Sequence, residues 1–188
     1  MAQRTMAMPV LRVPHLRLGA LVALGLAAFL IGWLVVNRGG DEATTTPGSG
    51  ASAVSESDLK AFAQTVDHPV YWAGPKDGYT YELTQTTNGF VYVRYLPEGT
   101  DAGDPRSQFL TIGTYPRQGA FAELQRAAKA NGAVSLKIGD DGLAVFSEAR
   151  PTSVYFGYPD ARYQVEVYDP SADEARRLAL SGQVVPVE

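Results

Sequence analysis

Residues 79–96 read YTYELTQTTNGFVYVRYL. Two runs of alternating apolar and polar side chains flank the polar stretch Thr86–Gly89, the pattern of a hairpin whose strands bury one side. Asn88-Gly89 ordinarily marks a two-residue turn. That turn sets Leu83 opposite Arg94, which is a poor cross-strand pair. A three-residue loop, Thr87-Asn88-Gly89 with Gly89 left-handed, instead sets Leu83 opposite Val93 and Tyr81 opposite Tyr95. Glu82 then meets Arg94 on the other face, a favourable pair of opposite charges. The expectation is the bulged three-residue turn, with Gly89, Glu82 and Arg94 as its structural residues.

Part of this hairpin recurs. Residues 70–83, VYWAGPKDGYTYEL, align without a gap on residues 154–167, VYFGYPDARYQVEV, at an offset of 84. Val70, Tyr71, Pro75, Tyr79 and Glu82 match Val154, Tyr155, Pro159, Tyr163 and Glu166. In the second copy Tyr163, Val165 and Val167 alternate with Gln164 and Glu166, so the first three face the core. Transferred to the first copy, this puts Tyr79, Tyr81 and Leu83 inside and Thr80, Glu82 and Thr84 outside. The match reads as an internal duplication of a strand–turn–strand unit; convergent use of aromatic hairpin chemistry is the competing account.

Outward from these stretches, strand-like runs occupy Val70–Trp72, Tyr79–Thr86, Phe90–Leu96, Phe109–Tyr115, Ala133–Ile138, Leu143–Ser147, Val154–Tyr158 and Tyr163–Tyr168. A short one, Gln183–Val187, ends the chain. Ser55 opens a helix, with Asp58 completing a capping box, and His68-Pro69 closes it. Arg117–Asn131 is a second amphipathic segment, with Phe121, Leu124, Ala127 and Ala128 inward and Gly132 as its stop. Asp169 caps a third helix and Gly182 ends it. Runs of strands joined by short turns indicate an antiparallel sheet. With about three helices covering one face, the fold class is α+β.

The first 57 residues differ in kind. Leu18–Val36 is a run of 19 uncharged residues, and a helix of that length rises about 28 Å, close to the hydrocarbon thickness. Arg4, Arg12 and Arg17 precede it; only Arg38 follows, ahead of Asp41 and Glu42. The bias of basic residues puts the N-terminus in the cytoplasm and the rest outside, with Trp33 near the far interface. Residues 1–17 form a basic stub, 18–36 the transmembrane helix that meets the lipid bilayer, and 37–57 a Gly/Ser/Thr-rich linker reaching about 25 Å. Residues 58–188 make the extracytoplasmic domain. The rival is a secreted domain cleaved near Ala53, at Ala51-Ser52-Ala53, although a signal peptide's apolar run is usually shorter than this one.

Composition narrows the chemistry. The chain has no cysteine, which excludes disulfides, thiolate metal sites and cysteine nucleophiles. Residues 1–38 carry +4 and the remainder −8, so the domain lacks the concentrated basic face that nucleic acid requires. His68 stands between a helix and a proline without a nucleophile signature, and no phosphate-binding or zinc-binding motif is present. No cofactor is expected. Asp101 and Asp104 in EGTDAGDP are weak metal candidates, because clustered oxygens suit calcium, but the loop does not match the EF-hand spacing and turn-forming Asp and Gly are the ordinary explanation. Glu82 and Glu166 suggest the paired carboxylates of an envelope enzyme; against that, both are expected on polar, solvent-facing strand surfaces. Tyr71, Trp72, Tyr155 and Phe156 are the candidate ligand-binding residues. Exposed rings stack on sugars or anchor protein partners, and core packing is the alternative.

The layout of basic stub, single span, tether and cysteine-free outer domain resembles that of bacterial envelope proteins. The resemblance covers mainly the first 57 residues and implies location rather than activity. The leading expectation for the outer domain is a binding or scaffolding module, with envelope polysaccharide or a membrane protein as partner.

Overall fold

The computed structural model describes residues 50–188. The expected stub, membrane span and most of the linker lie outside these residues. Among the described residues no helix is long and apolar enough to cross a membrane.

The architecture is α+β: a mainly antiparallel sheet with three helices. The strands are β1 (Ser52–Val54), β2 (Tyr71–Trp72), β3 (Tyr79–Gln85), β4 (Val91–Pro97), β5 (Thr111–Pro116), β6 (Ala133–Ile138), β7 (Gly142–Ser147), β8 (Arg150–Gly157), β9 (Tyr163–Tyr168) and β10 (Val185–Pro186). Eight of them form one sheet in the order β1-β3-β4-β5-β9-β8-β7-β6, and β2 pairs separately with β10. Two consecutive meanders therefore meet at the centre, where β5 and β9 pair from Thr111 opposite Tyr168 to Pro116 opposite Tyr163. The sheet starts earlier than the composition suggests, because Ser52–Val54, at the end of the expected linker, pairs with Leu83, Glu82 and Tyr81.

The opening hairpin forms as expected. Leu83 lies opposite Val93, Tyr81 opposite Tyr95 and Glu82 opposite Arg94. Gly89 is left-handed at φ 79°, and the Thr86 amide donates to the Phe90 carbonyl at 2.8 Å across a loop of three residues. Two opposing requirements, apolar pairing on one face and charge pairing on the other, have one common register.

The helices are α1 (Glu56–Ala63), α2 (Ala120–Ala127) and α3 (Ala172–Leu180). In α1 the capping box is complete: Ser55 Oγ accepts from the Asp58 amide at 3.1 Å and Asp58 Oδ2 accepts from the Ser55 amide at 3.2 Å. Ser171, rather than Asp169, caps α3; Asp169 Oδ1 accepts the Ser171 amide at 2.8 Å and so braces the cap. α2 is shorter than its amphipathic pattern because Gly119 turns left-handed before it, and after Ala127 the Lys129 and Ala130 amides bond to the carbonyls three residues back, those of Arg126 and Ala127.

The helices divide between the two faces instead of sharing one. Leu59 of α1 and Ala175 and Leu178 of α3 join the main core with Val93, Ile112, Val154, Phe156, Val165 and Val167. Leu124 and Ala127 of α2 pack against Tyr115, Val145 and Tyr155 on the opposite side. The central strands alternate cleanly, but both sides are covered, and that second covering buries polar groups that alternation alone assigns to solvent.

The duplicated sequence does not form a duplicated unit. In the second copy β8 and β9 make a hairpin, with Tyr155 opposite Glu166. In the first copy Tyr71 and Trp72 leave the main sheet and pair with Pro186 and Val185. Between Trp72 and Tyr79 both Gly74 and Gly78 are left-handed. The turn between β8 and β9 has one such residue, Asp160 at φ 65°. Two mirror-image backbone turns redirect the chain where one lets it fold back.

Candidate functional site

Glu166 is the most unusual side chain on the second face. It is 5% exposed, and among the described residues no basic group pairs with it. Tyr155 donates its hydroxyl to Glu166 Oε1 at 2.7 Å, and Tyr115 donates a short hydrogen bond to Oε2. The β5–β9 pairing brings Tyr115 alongside, and the β8–β9 hairpin brings Tyr155. Gly113, directly opposite Glu166, makes the approach feasible: a Cβ there would lie 2.6 Å from the Tyr115 hydroxyl. The Tyr115 ring leans back over this bare backbone. Phe90 and Tyr92 contact it edge-on at centroid distances of 5.2 Å and 5.7 Å.

This environment holds the phenols neutral. Burial, reinforced by the Glu166 charge, pushes Tyr115 and Tyr155 well above the usual phenol range. Tyr92 is pushed up to about 12, chiefly by burial. A protonated phenol can donate and a carboxylate can accept, so the cluster is a set of charge-assisted hydrogen bonds with both Glu166 oxygens engaged.

Glu82 occupies the corresponding place in the first sequence copy and is 4% exposed. Its partner is ionic. Arg94 Nη1 donates to Oε1 at 2.8 Å, and the Gly103 amide donates to Oε2 at 2.6 Å. Arg94 Nη2 reaches the carbonyls of Asp104 and Arg106 at 2.7 Å and 2.8 Å. Its guanidinium also lies over the Phe109 ring, 4.9 Å from the centroid. One buried ion pair thus fastens the segment 98–109 across β3 and β4. The expected partner of Glu82 is present, but the expected solvent exposure of both glutamates is corrected by this segment and by α2.

The four aromatic candidates are interior. Tyr71, Trp72 and Tyr155 are 5–6% exposed and Phe156 is 1% exposed. Phe156 and Tyr71 meet edge-to-face at 6.0 Å. The Tyr71 amide donates to Thr114 Oγ1 at 3.0 Å, and Trp72 packs on Tyr81 at 5.8 Å. None offers an open ring face to a sugar.

Asp104 spends its carboxylate on Arg106, whose Nη2 lies 2.6 Å from Oδ2 and whose amide lies 2.9 Å from Oδ1. These hydrogen bonds hold its pKa down at about 2. Asp101 is exposed on the same turn. Among the described residues no three acidic, histidine or cysteine side chains converge as metal ligands. His68 bridges the end of the α1 segment to the hairpin turn, with Nε2 3.0 Å from the Gly89 carbonyl and Nδ1 3.0 Å from that of Pro69.

The tyrosine clamp on Glu166 is the feature that sequence reasoning missed. Its one local signal is Gly113 inside a strand, two residues before Tyr115, since an interior strand glycine often marks a close approach. No family model matches the chain, and neither a curated protein nor a solved structure is significantly similar to it.

Proposed function

We propose that this chain is a single-pass membrane protein with a cytoplasmic N-terminus, whose extracytoplasmic α+β domain binds or scaffolds a protein of the cell envelope. The observation that carries the reading is the uncharged run Leu18–Val36, with Arg12 and Arg17 before it and Asp41 and Glu42 after it. Residues 37–51, ahead of β1, give a tether reaching about 20 Å. Ser52 and Ala53 are held against β3, which disfavours cleavage at Ala51-Ser52-Ala53 in the folded chain. The oxygens of Glu82 and Glu166 are taken by structural donors, which favours a binding role over acid–base catalysis. Because the four candidate rings are interior, a protein surface is a better partner than a polysaccharide.

A cysteine-free chain allows a direct test. Gln118 is exposed, so Gln118→Cys adds one accessible thiol. A membrane-impermeant maleimide should label it from the outside of the cell membrane, on a full-length band in the membrane fraction. Labelling only after lysis, or a shortened band in the soluble fraction, would overturn the topology. Retention of envelope polysaccharide instead of protein by the immobilised full chain would overturn the partner class.

A further inference from the structure

Two of the chain's three asparagines, Asn88 and Asn131, precede a glycine. Both are exposed and lie in turns, and both glycines are left-handed, Gly89 at φ 79° and Gly132 at φ 73°. An asparagine before glycine is open to attack on its own side chain, because no Cβ on the next residue shields the amide nitrogen. The two turns differ in what holds that nitrogen. We propose that Asn131 is a self-modification site, which converts to aspartate and isoaspartate in the folded chain while Asn88 is protected.

The difference lies in a single peptide group. The Gly89 amide donates to the Thr86 carbonyl at 3.0 Å, and the Gly89 carbonyl lies 3.0 Å from His68 Nε2. At the other site the hydrogen bonds pass around the peptide instead of through it. The Ala133 amide donates to the Ala130 carbonyl at 3.1 Å, and the Gly132 carbonyl accepts from the Glu148 amide at 2.9 Å. The peptide joining Asn131 to Gly132 sits at the centre of that turn. Neither its carbonyl nor its N–H is hydrogen-bonded among the described residues, and the Asn131 side-chain amide has no partner there either. This peptide can rotate through ψ of Asn131 and φ of Gly132 without breaking a bond, since glycine tolerates both signs of φ.

Rotation carries the Gly132 nitrogen to the side-chain carbonyl. Hydroxide takes the amide proton and the nitrogen adds to Cγ of Asn131. The new C–N bond closes a cyclic imide, and the side-chain nitrogen leaves as ammonia after taking a proton from water. A further water opens the imide at either carbonyl, giving aspartate or isoaspartate; no oxidant or reductant takes part. Isoaspartate adds a methylene to the main chain and so lengthens the link between α2 and β6. At Asn88 the same rotation must first break the bond to Thr86, which slows the step roughly fivefold.

The test ages the full chain in mild detergent at mildly alkaline pH and follows both sites by tryptic mass mapping. Cleavage at Lys129 and Lys137 isolates Asn131, and cleavage at Lys76 and Arg94 isolates Asn88. Exchange of the side-chain nitrogen for oxygen should accumulate at Asn131 roughly fivefold faster than at Asn88 in the folded chain. In urea, where both turns are lost, the two rates should converge. A methyltransferase specific for isoaspartate should label the peptide 130–137, which contains no aspartate, and should leave it unlabelled in Asn131→Gln. Equal rates in the folded chain, faster conversion at Asn88, or the same ratio in urea as in the folded chain would each overturn the proposal. The outcome does not depend on membrane topology.

Discussion

Replacing Gly113 by alanine tests whether the sheet's second face is built around the Tyr115–Glu166 contact. Gly113 is not in a left-handed conformation, so its backbone accepts alanine. In an ordinary strand interior that change would stabilise by about 0.5–1 kcal/mol. Here the new Cβ would lie 2.6 Å from the Tyr115 hydroxyl, 2.9 Å from Cζ and 3.1 Å from Cε2. The ring must move, although it is 4% exposed and wedged between Phe90, Tyr92 and Leu124. Overpacking costs about 1–3 kcal/mol. Withdrawing the hydroxyl from a buried carboxylate costs roughly 1.5–3 kcal/mol more. After the intrinsic gain, the net destabilisation is about 1.5–5.5 kcal/mol. Urea unfolding of the full chain measures it through Trp72 fluorescence, with Trp33→Phe removing the only other indole. Repeated in a Tyr115→Ala background, the obstacle is gone and Gly113→Ala should be neutral or mildly stabilising. An equal cost in both backgrounds, or a stabilised single variant, would refute the steric argument.

Other expectations follow from the remaining contacts. Arg94→Met strands the Glu82 carboxylate in a buried site and should cost about 3–5 kcal/mol; limited proteolysis should then cut first within residues 98–109, which Arg94 and Glu82 hold down. Gly89→Ala forces a side chain into φ 79° and should cost about 1–2 kcal/mol in thermal unfolding, with Gly89→Asn milder. The folded chain raises the Tyr92 phenol from 10.0 to about 12, so its contribution is complete below pH 10.0 and is lost as pH rises through about 12. Tyr92→Phe should therefore flatten the alkaline limb of a stability–pH curve in that window. An unchanged slope would mean that Tyr92 titrates as freely in the folded chain as in the unfolded one.

Why the sequence disclosed one glutamate's surroundings and hid the other's comes down to distance along the chain. Glu82 and Arg94 sit in one hairpin, 12 residues apart, and the turn residues fix which side chains oppose each other. Glu166 and Tyr115 are 51 residues apart and meet only because the last strands of two meanders pair. Nothing local in either strand specifies that pairing. The same limit explains the repeated segment. Tyr71 and Tyr155 have similar flanking residues, yet one finds the Thr114 hydroxyl and the C-terminal strand, and the other finds Glu166. Alternation predicted which face each residue occupies, and it was right for Tyr79, Tyr81, Leu83, Tyr163, Val165 and Val167. It could not predict what lies on top of that face. The covering on the second face comes from α2 and from an irregular segment whose Asp, Gly and Pro residues read as surface. A polar residue on an alternating strand is therefore a solvent residue only if its face is bare, and chain segments tens of residues away decide that. In this domain they supplied hydrogen-bond partners along with the covering. That is why no side-chain oxygen or nitrogen buried among the described residues lacks a partner, and why two carboxylates that resemble a catalytic pair in the sequence act as rivets in the fold.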